Sequence, residues 1–466
     1  MRTKTNSDFI QNKHSSSFRD PSGYVFVENN VLKRVILPKY FAQYNSLKKS
    51  GFYQKVIHHG LLISHNESAS TKNHIELTPE EIPFITYPYE WTFGQLKDAA
   101  LHTLKLQKYA VNNGYILKDA TAFNIAFCRG KPIFIDTLSF DFYVQDSPWK
   151  AFKMFVQHFL SPLVLAYYHG PSILKLLQTH IDGIPLSLTT SLLPGKSKLN
   201  PMIFTNIHLL AKAERKYKNQ TAKKTKEVKV KKERHLNHLD TLYSFIQGLG
   251  VNQQTEWGDY YENIHYNDTA LDFKKGQIAE WVSSLDVKTV VDIGGNDGTM
   301  VRSFNNDLDF AIVGDIDEKA VDLNYQKMKE EEDSNIFPLL LDILQPTPAL
   351  GFDNKERFSI IDRLRKCQPD LTLALALVHH ISLSGNVPFL KIAEFFSRFS
   401  KYLIIEFPER DDKMVQLLLN QKRDFKNHFD FYSAENFEKD FGVFFKIQQR
   451  VLIPKSNRIL YQMQII

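Results

Sequence analysis

The second half of the chain predicts an α/β fold built on a mostly parallel, Rossmann-like sheet, and three observations carry that prediction. Residues 290–300 read Val-Val-Asp-Ile-Gly-Gly-Asn-Asp-Gly-Thr-Met: β-branched residues suited to a strand covered on both faces, then a glycine-rich turn, then a helix start. Apolar runs that end in an acid recur at 310–315 and 336–342, with helical stretches between them. The chain closes on a hairpin, 444–453 and 459–465, turned at Pro454-Lys-Ser-Asn457.

Taken in order, Gly294, Gly295 and Gly298 permit backbone geometry and close ligand approach that a Cβ would block. At the carboxyl end of a parallel strand such a turn makes a nucleotide-shaped crevice. An acid ending the next strand, Asp315, is placed to accept hydrogen bonds from ribose hydroxyls, whereas Asp317, followed by Glu318-Lys-Ala-Val321, reads as the N-cap of the next helix. Asp342 with Ile343 suits a carboxylate and backbone pair reading an adenine edge; Asp342 as a simple strand terminator is the competing reading. Leu373-Ala-Leu-Ala-Leu-Val378 is the longest apolar run of this half and predicts a central strand that delivers His379 and His380 to the same crevice. Tyr402-Leu-Ile-Ile-Glu406-Phe407 supplies a fifth strand.

The spacing Asp292-x-Gly294-x-Asn296-x-Gly298 is one glycine short of the dinucleotide pattern and begins with an acid. It resembles the first motif of class I S-adenosylmethionine (SAM) methyltransferases, with Asn in place of the middle glycine. Together with Asp315, Asp342, the strand before His379-His380 and Ile404-Ile-Glu-Phe407, it is similar to bacterial NoeA-like host-specific nodulation proteins and SAM-dependent methyltransferases. Tyr89-Glu-Trp91, Leu117-Lys-Asp-Ala-Thr121, Phe134-Ile-Asp136-Thr and Pro148-Trp149 extend the resemblance over most of the chain from about Gly23.

The resemblance implies a seven-stranded sheet whose last hairpin is antiparallel, and SAM as cofactor on Asp292, Gly294, Gly295, Asn296, Gly298, Asp315, Asp342 and Ile343. Trp257 and Tyr261, just upstream, offer ring faces suited to a cationic sulfonium, or merely cover the sheet. His379 and His380 are candidates for a base near neutral pH, or satisfied core groups, and Glu406 is a candidate for holding substrate or water. The expected acceptor is an O or N atom on a small molecule or glycan; a non-catalytic SAM-binding regulator is the alternative.

A chain of 466 residues exceeds what one hydrophobic core supports, which predicts two domains. The expected division is a disordered tail at 1–22, an α+β domain at 23–210, a basic helical linker at 211–235 and the methyltransferase-like domain at 236–466. Cys128 and Cys367 demand neither an oxidising compartment nor a metal site. No signal-like apolar core opens the chain, and the most lipid-like stretch, 151–170, carries Lys153, Gln157, His158 and His169, so no membrane span and a cytoplasmic protein are expected. Residues 211–235 hold eleven Lys or Arg against three Glu, a local +8 within a chain of +6. The run reads as a solvated helical linker or as a site for nucleic acid or anionic lipid; with Tyr217 its only aromatic it offers single-stranded nucleic acid little to stack on, so the solvated face is the preferred reading and nucleic acid stays open. The oligomeric state is left open.

In the first half, strands at 23–27 and 31–36 flank an Asn29-Asn30 turn, a helix follows at 38–49 with Gly51 as its stop, and 56–64 returns to strand. An amphipathic helix at 92–113 ends at Gly114. Asp119, Asn124 five residues on, a short hairpin and then Asp136 repeat the catalytic-loop and metal-binding arrangement of protein kinases and aminoglycoside phosphotransferases. Leu117 stands where those enzymes carry His, Thr137-Leu138 replaces Phe-Gly, and no glycine-rich phosphate loop is present; Lys33 is the one strand lysine available as a phosphate anchor. The readings are therefore a kinase-like fold, with Mg-ATP phosphotransfer as its boldest consequence, or turn residues bonded to local backbone.

Overall fold

A computed structural model of the chain describes residues 13–218, 229–251, 268–304, 307–331 and 335–466. They fall into two compact units: Met1–Gln253 with Leu350–Arg357, and Gln254–Ala349 with Phe358–Ile466.

In the first unit, β1 (Gly23–Glu28), β2 (Val31–Ile36), β3 (His65–Ser70) and β4 (Ile75–Pro79) form an antiparallel sheet in the order β1-β2-β4-β3. Asn29 and Asn30 take φ of 51° and 63°, the left-handed pair that a two-residue hairpin turn requires. Residues 56–64, expected as strand, are instead the end of the helix Phe52–His58 and a turn. Phe52, Tyr53 and Val56 bury one helical face there, and that spacing outweighs the apolar run. The long helix Phe93–Asn112 starts on a capping box: the Thr92 side chain accepts from Gln95 N, and the Gln95 side chain accepts from Thr92 N. Two short ribbons follow it: β5 (Tyr115–Leu117) with β8 (Phe140–Phe142), and β6 (Ile125–Cys128) with β7 (Lys131–Phe134).

Two expected boundaries move. Residues 13–22 are not a free tail: His14 N donates to Val25 O at 2.8 Å, and Arg19 pairs with Glu356 at 2.7 Å. Residues 236–251 belong to the first unit, because the helix Lys232–Gln247 buries Leu239, Leu242 and Ile246 and packs against Phe93–Asn112. An apolar helical stripe must be covered, and this is its cover. Of the basic run, Leu210–Lys218 is helical and 219–228 lies outside the described residues.

The second unit has the α/β organisation expected of it. Its sheet holds β9 (Thr289–Ile293), β10 (Phe310–Asp315), β11 (Ile336–Leu340), β12 (Leu371–Ala374), β13 (Tyr402–Pro408), β14 (Phe445–Leu452) and β15 (Arg458–Ile465), in the order β11-β10-β9-β12-β13-β15-β14. The first five strands are parallel; β15 runs antiparallel to β13 and β14. From β9 the chain builds outward to β10 and β11, then returns to place β12 on the other side of β9. That reversal opens a crevice at the carboxyl ends of β9 and β12.

The fourth parallel strand is shorter than its apolar run. β12 ends at Ala374, Ala376 takes a left-handed φ of 49°, and His379 and His380 lie in the helical segment beyond. The histidine pair is therefore not at a strand end.

Candidate binding site

A cavity of about 260 Å³ lies where the second unit's topology puts a crevice, lined by the turn after β9 and by the segments after β10, β11 and β12. Gly294, Gly295 and Asn296 form its floor, with Asp315, Asp342 and Ile343 along one side. The turn's sequence is dictated by space. A Cβ on Gly295 would stand 2.6 Å from Val313 Cγ1 and 2.7 Å from Asp292 Oδ2, and Gly294 needs its φ of +80°. Gly298 is not at the cavity: a side chain there would strike Arg302 Nη1 and Asn324, so its role is to let the helix Thr299–Arg302 begin.

Asp315 links the glycine turn after β9 to its own turn after β10. Asn296 N donates to its Oδ2 at 2.9 Å and Asp317 N to its Oδ1 at 2.8 Å. Burial raises its pKa, and those backbone donors oppose the rise. Asp317 caps the following helix, accepting from Ala320 N at 2.9 Å. Asp342 accepts from Leu344 N at 2.9 Å, a local turn that leaves it on the cavity wall.

Asp292 is the unusual group. It is 1% exposed, and neither carboxylate oxygen meets a hydrogen-bond donor among the described residues. Burial pushes its pKa up to about 7; the Lys274 charge pulls it down and Asp315 adds to the rise. A buried carboxylate without donors is costly, so the fold retains this group against its own stability.

Lys274 also lines the cavity, 5% exposed. Its Nζ stands 2.5 Å from Glu406 Oε2; Glu406 Oε1 accepts from Arg458 Nη1 at 2.9 Å, and Arg458 Nε donates to Asp412 at 2.8 Å. Glu406, expected to hold substrate or water, is thus withdrawn from the cavity, fully buried between two cations. His379 is corrected as well: it is 1% exposed, does not line the cavity, and lies against His380 with ring centroids 4.2 Å apart and planes tilted by 40°. Burial, then His380 and Arg458, hold the His379 imidazole well below its usual range, so it stays neutral. His380 does reach the cavity; burial and Arg458 lower its pKa too. Trp257 and Tyr261 lie outside the described residues.

Lys274 is the residue that the sequence reading passed over. Leu271, Lys274, Ile278 and Trp281 share one face of the helix Asp268–Ser284, and Ile278 and Trp281 are core. A lysine at an apolar position of a helical stripe is the signal that would have singled it out.

In the first unit, Asn124 and Asp136 meet at Ser139, and Asp119 joins them through a hydrogen bond with Asn124. Asn124 Nδ2 donates to Ser139 Oγ at 3.3 Å, Ser139 Oγ donates to Asp136 Oδ2, and Thr121 N donates to Asp119 at 3.0 Å. Arg34 Nη1 pairs directly with Asp136. Burial opposes ionisation of Asp136, but Arg34, Ser139 and Leu138 N outweigh it and hold the carboxyl below its usual range. Lys33, the expected phosphate anchor, points the other way along β2, to Glu28 at 2.8 Å and Glu76 at 3.8 Å. Among the described residues no cluster of three or more His, Cys, Asp or Glu is placed to hold a metal ion.

No protein-family model matches the chain. It is 29% identical over 460 residues to the nodulation protein NoeA of Rhizobium meliloti (strain 1021), covering 96% of this chain and 95% of that relative. Among solved structures, the N-methyltransferase NodS from Bradyrhizobium japonicum WM9 matches with 13% identity and a TM-score of 0.30, covering 43% of this chain and 99% of that one. Magnesium protoporphyrin IX methyltransferase from Synechocystis PCC 6803 with bound SAH matches with 15% identity and a TM-score of 0.30, covering 49% and 95%.

Proposed function

We propose that this chain, similar to NoeA along nearly its whole length, is a class I SAM-dependent methyltransferase (EC 2.1.1.-) acting on an O or N atom of a small molecule or glycan. The observation that carries the reading is Asp292: a buried carboxylate with two unfilled acceptor oxygens, facing a cavity beside a glycine turn. SAM carries an ammonium and a carboxylate on its methionine part and a cationic sulfonium that joins this part to the adenosyl group, and when bound it supplies an activated methyl carbon.

The residues present fit that ligand. Gly294 and Gly295 admit close backbone approach, Asp315 suits ribose hydroxyls, and Asp342 with Ile343 suits the adenine edge. Asp292 is the acceptor for the ammonium. Lys274, held by Glu406 and Arg458, is the cation for the α-carboxylate. The apolar wall of Leu375, Leu377 and Ile381 excludes water from the transfer path. Displacement at a sulfonium needs alignment more than acid–base help; where the acceptor must lose a proton, neutral His380 is the cavity-lining group able to take it.

Titration calorimetry of the full chain with SAM and with S-adenosylhomocysteine is the test. Binding that weakens at least about tenfold in Asp292→Asn is expected for loss of a charge-assisted hydrogen bond. Absence of binding by the unaltered protein would overturn the reading. Incubation with methyl-labelled SAM and fractionated extract then separates an enzyme, which releases S-adenosylhomocysteine, from a regulator, which does not.

A further inference from the structure

The first unit carries a surface that the proposed methyl transfer does not use. Between Asp182 and Glu214 the sequence contains no Asp or Glu, while Lys196, Lys198 and Lys212 fall inside that interval and Arg215 and Lys216 follow it. Glu214 is itself neutralised by Lys153 at 2.5 Å. Four apolar side chains stand exposed in the same stretch: Leu192, Phe204, Leu209 and, at 83% exposure, Leu199.

These residues sit on adjoining elements. The helix Leu186–Leu192 packs against the helical segment Phe204–Leu209 and against the helix Leu210–Lys218. Ser197 Oγ and His208 Nε2 are 2.8 Å apart, which ties the turn Gly195–Leu199 to the same segment. Along 203–216, Ile203, Asn206, Ile207 and Ala211 face inward, so Phe204 and Leu209 share the outward face with Lys212, Arg215 and Lys216.

We propose that this surface docks the protein on an anionic lipid bilayer, with the apolar side chains entering the headgroup region and the lysines and arginine meeting lipid phosphates. Single exposed leucines need no explanation, but several on neighbouring elements, in a segment with five cations and Glu214 as its one acid, match the composition of interfacial segments. Charge selects this occupant over others. A second copy of the chain would set the same cations against each other across a two-fold interface. Nucleic acid would meet three aliphatic leucines and one phenylalanine among the four apolar residues; Tyr168, under Lys196, and its neighbour Tyr167 are the nearest other rings, so a nucleic-acid arm belongs in the test. No described helix is long and apolar enough to cross a membrane, so the mode is attachment in the interface plane.

Co-sedimentation of the full chain with phosphatidylcholine vesicles, with and without phosphatidylglycerol, tests this. The protein is expected to bind the anionic vesicles, to release as salt is raised, and to ignore the zwitterionic ones. Lys212→Glu with Lys216→Glu should weaken vesicle binding at least about tenfold, since each cation near such a surface is worth roughly fivefold. Leu199→Ser with Leu209→Ser should weaken it comparably, with only a small change in the thermal midpoint because Leu199 is 83% and Leu209 43% exposed. The proposal is overturned if the unaltered protein leaves anionic vesicles in the supernatant, if the leucine variant binds them as well as the unaltered protein, or if polyuridylate or an acidic protein is bound more tightly than the vesicles. SAM affinity of these variants reads the second unit separately, so failure here leaves the methyltransferase reading untouched.

Discussion

Asp136 in the first unit and Asp292 in the second are both acids near the end of a strand and both largely withdrawn from water, yet their surroundings are opposite. Asp136 is met by Arg34, Ser139 and the Leu138 amide, and its pKa falls. Asp292 is met by no donor among the described residues, and its pKa climbs to about 7. Burial is common to the two and so cannot distinguish a structural carboxylate from one held ready for a ligand; the partners do. In the first-unit motif that resembles a phosphotransferase, the acid expected to hold a metal, Asp136, is paired with an arginine instead. The glycine turn of the second unit keeps its acid open.

The sharpest way to break the contrast is to make Asp136 resemble Asp292. Arg34→Ala should destabilise the first unit by about 3 kcal/mol in urea unfolding, the cost of stranding a largely buried carboxylate. A loss under about 1 kcal/mol would mean that water already serves Asp136. The converse substitution, Asp292→Asn, should weaken SAM at least about tenfold while raising the thermal midpoint of the second unit at pH 8 by a few degrees, since it removes an ionised group the fold does not solvate. If affinity and stability fell together, Asp292 would be a structural residue like Asp136.

The pH dependence follows from the same carboxylate. Asp292 holds its proton more tightly folded, with a pKa of about 7, than at its ordinary value of 3.8. Its contribution to stability is therefore full below pH 4 and is lost as pH rises toward and through 7. Affinity for a ligand bearing an ammonium should move the other way, strengthening as pH rises through 7. Asp292→Asn should flatten both profiles between pH 5 and 8, read by thermal melts and calorimetry. The smallest effect is expected at Asp119→Asn: about 1 kcal/mol or less in stability, because the amide oxygen can still accept from Thr121 N, and no change in SAM affinity. Magnesium-dependent ATP binding abolished by Asp136→Ala would overturn this ordering and restore phosphotransfer as a reading of the first unit.

What could be read from the chain alone was whatever depends on neighbours in sequence. The glycine turn, the acid-ended strands that deliver Asp315 and Asp342, the Asn29-Asn30 hairpin and the cap at Asp317 all follow from local steric and hydrogen-bonding rules. The histidine pair was misplaced because one residue, Ala376, turns left-handed and ends a strand that its apolar run would have continued. The second unit's true start was hidden because the basic run drew the boundary, whereas the covered face of Lys232–Gln247 decided it.

Sequence determined where the carboxylates stand along the backbone; tertiary structure decided which of them have partners. Glu406 meets Lys274 across 132 residues and Asp136 meets Arg34 across 102, separations that no periodicity or spacing encodes. A strand's outline is a property of consecutive residues, but the state of a buried charge depends on whatever the fold brings within a few ångströms of it. For Asp292 that is a cavity.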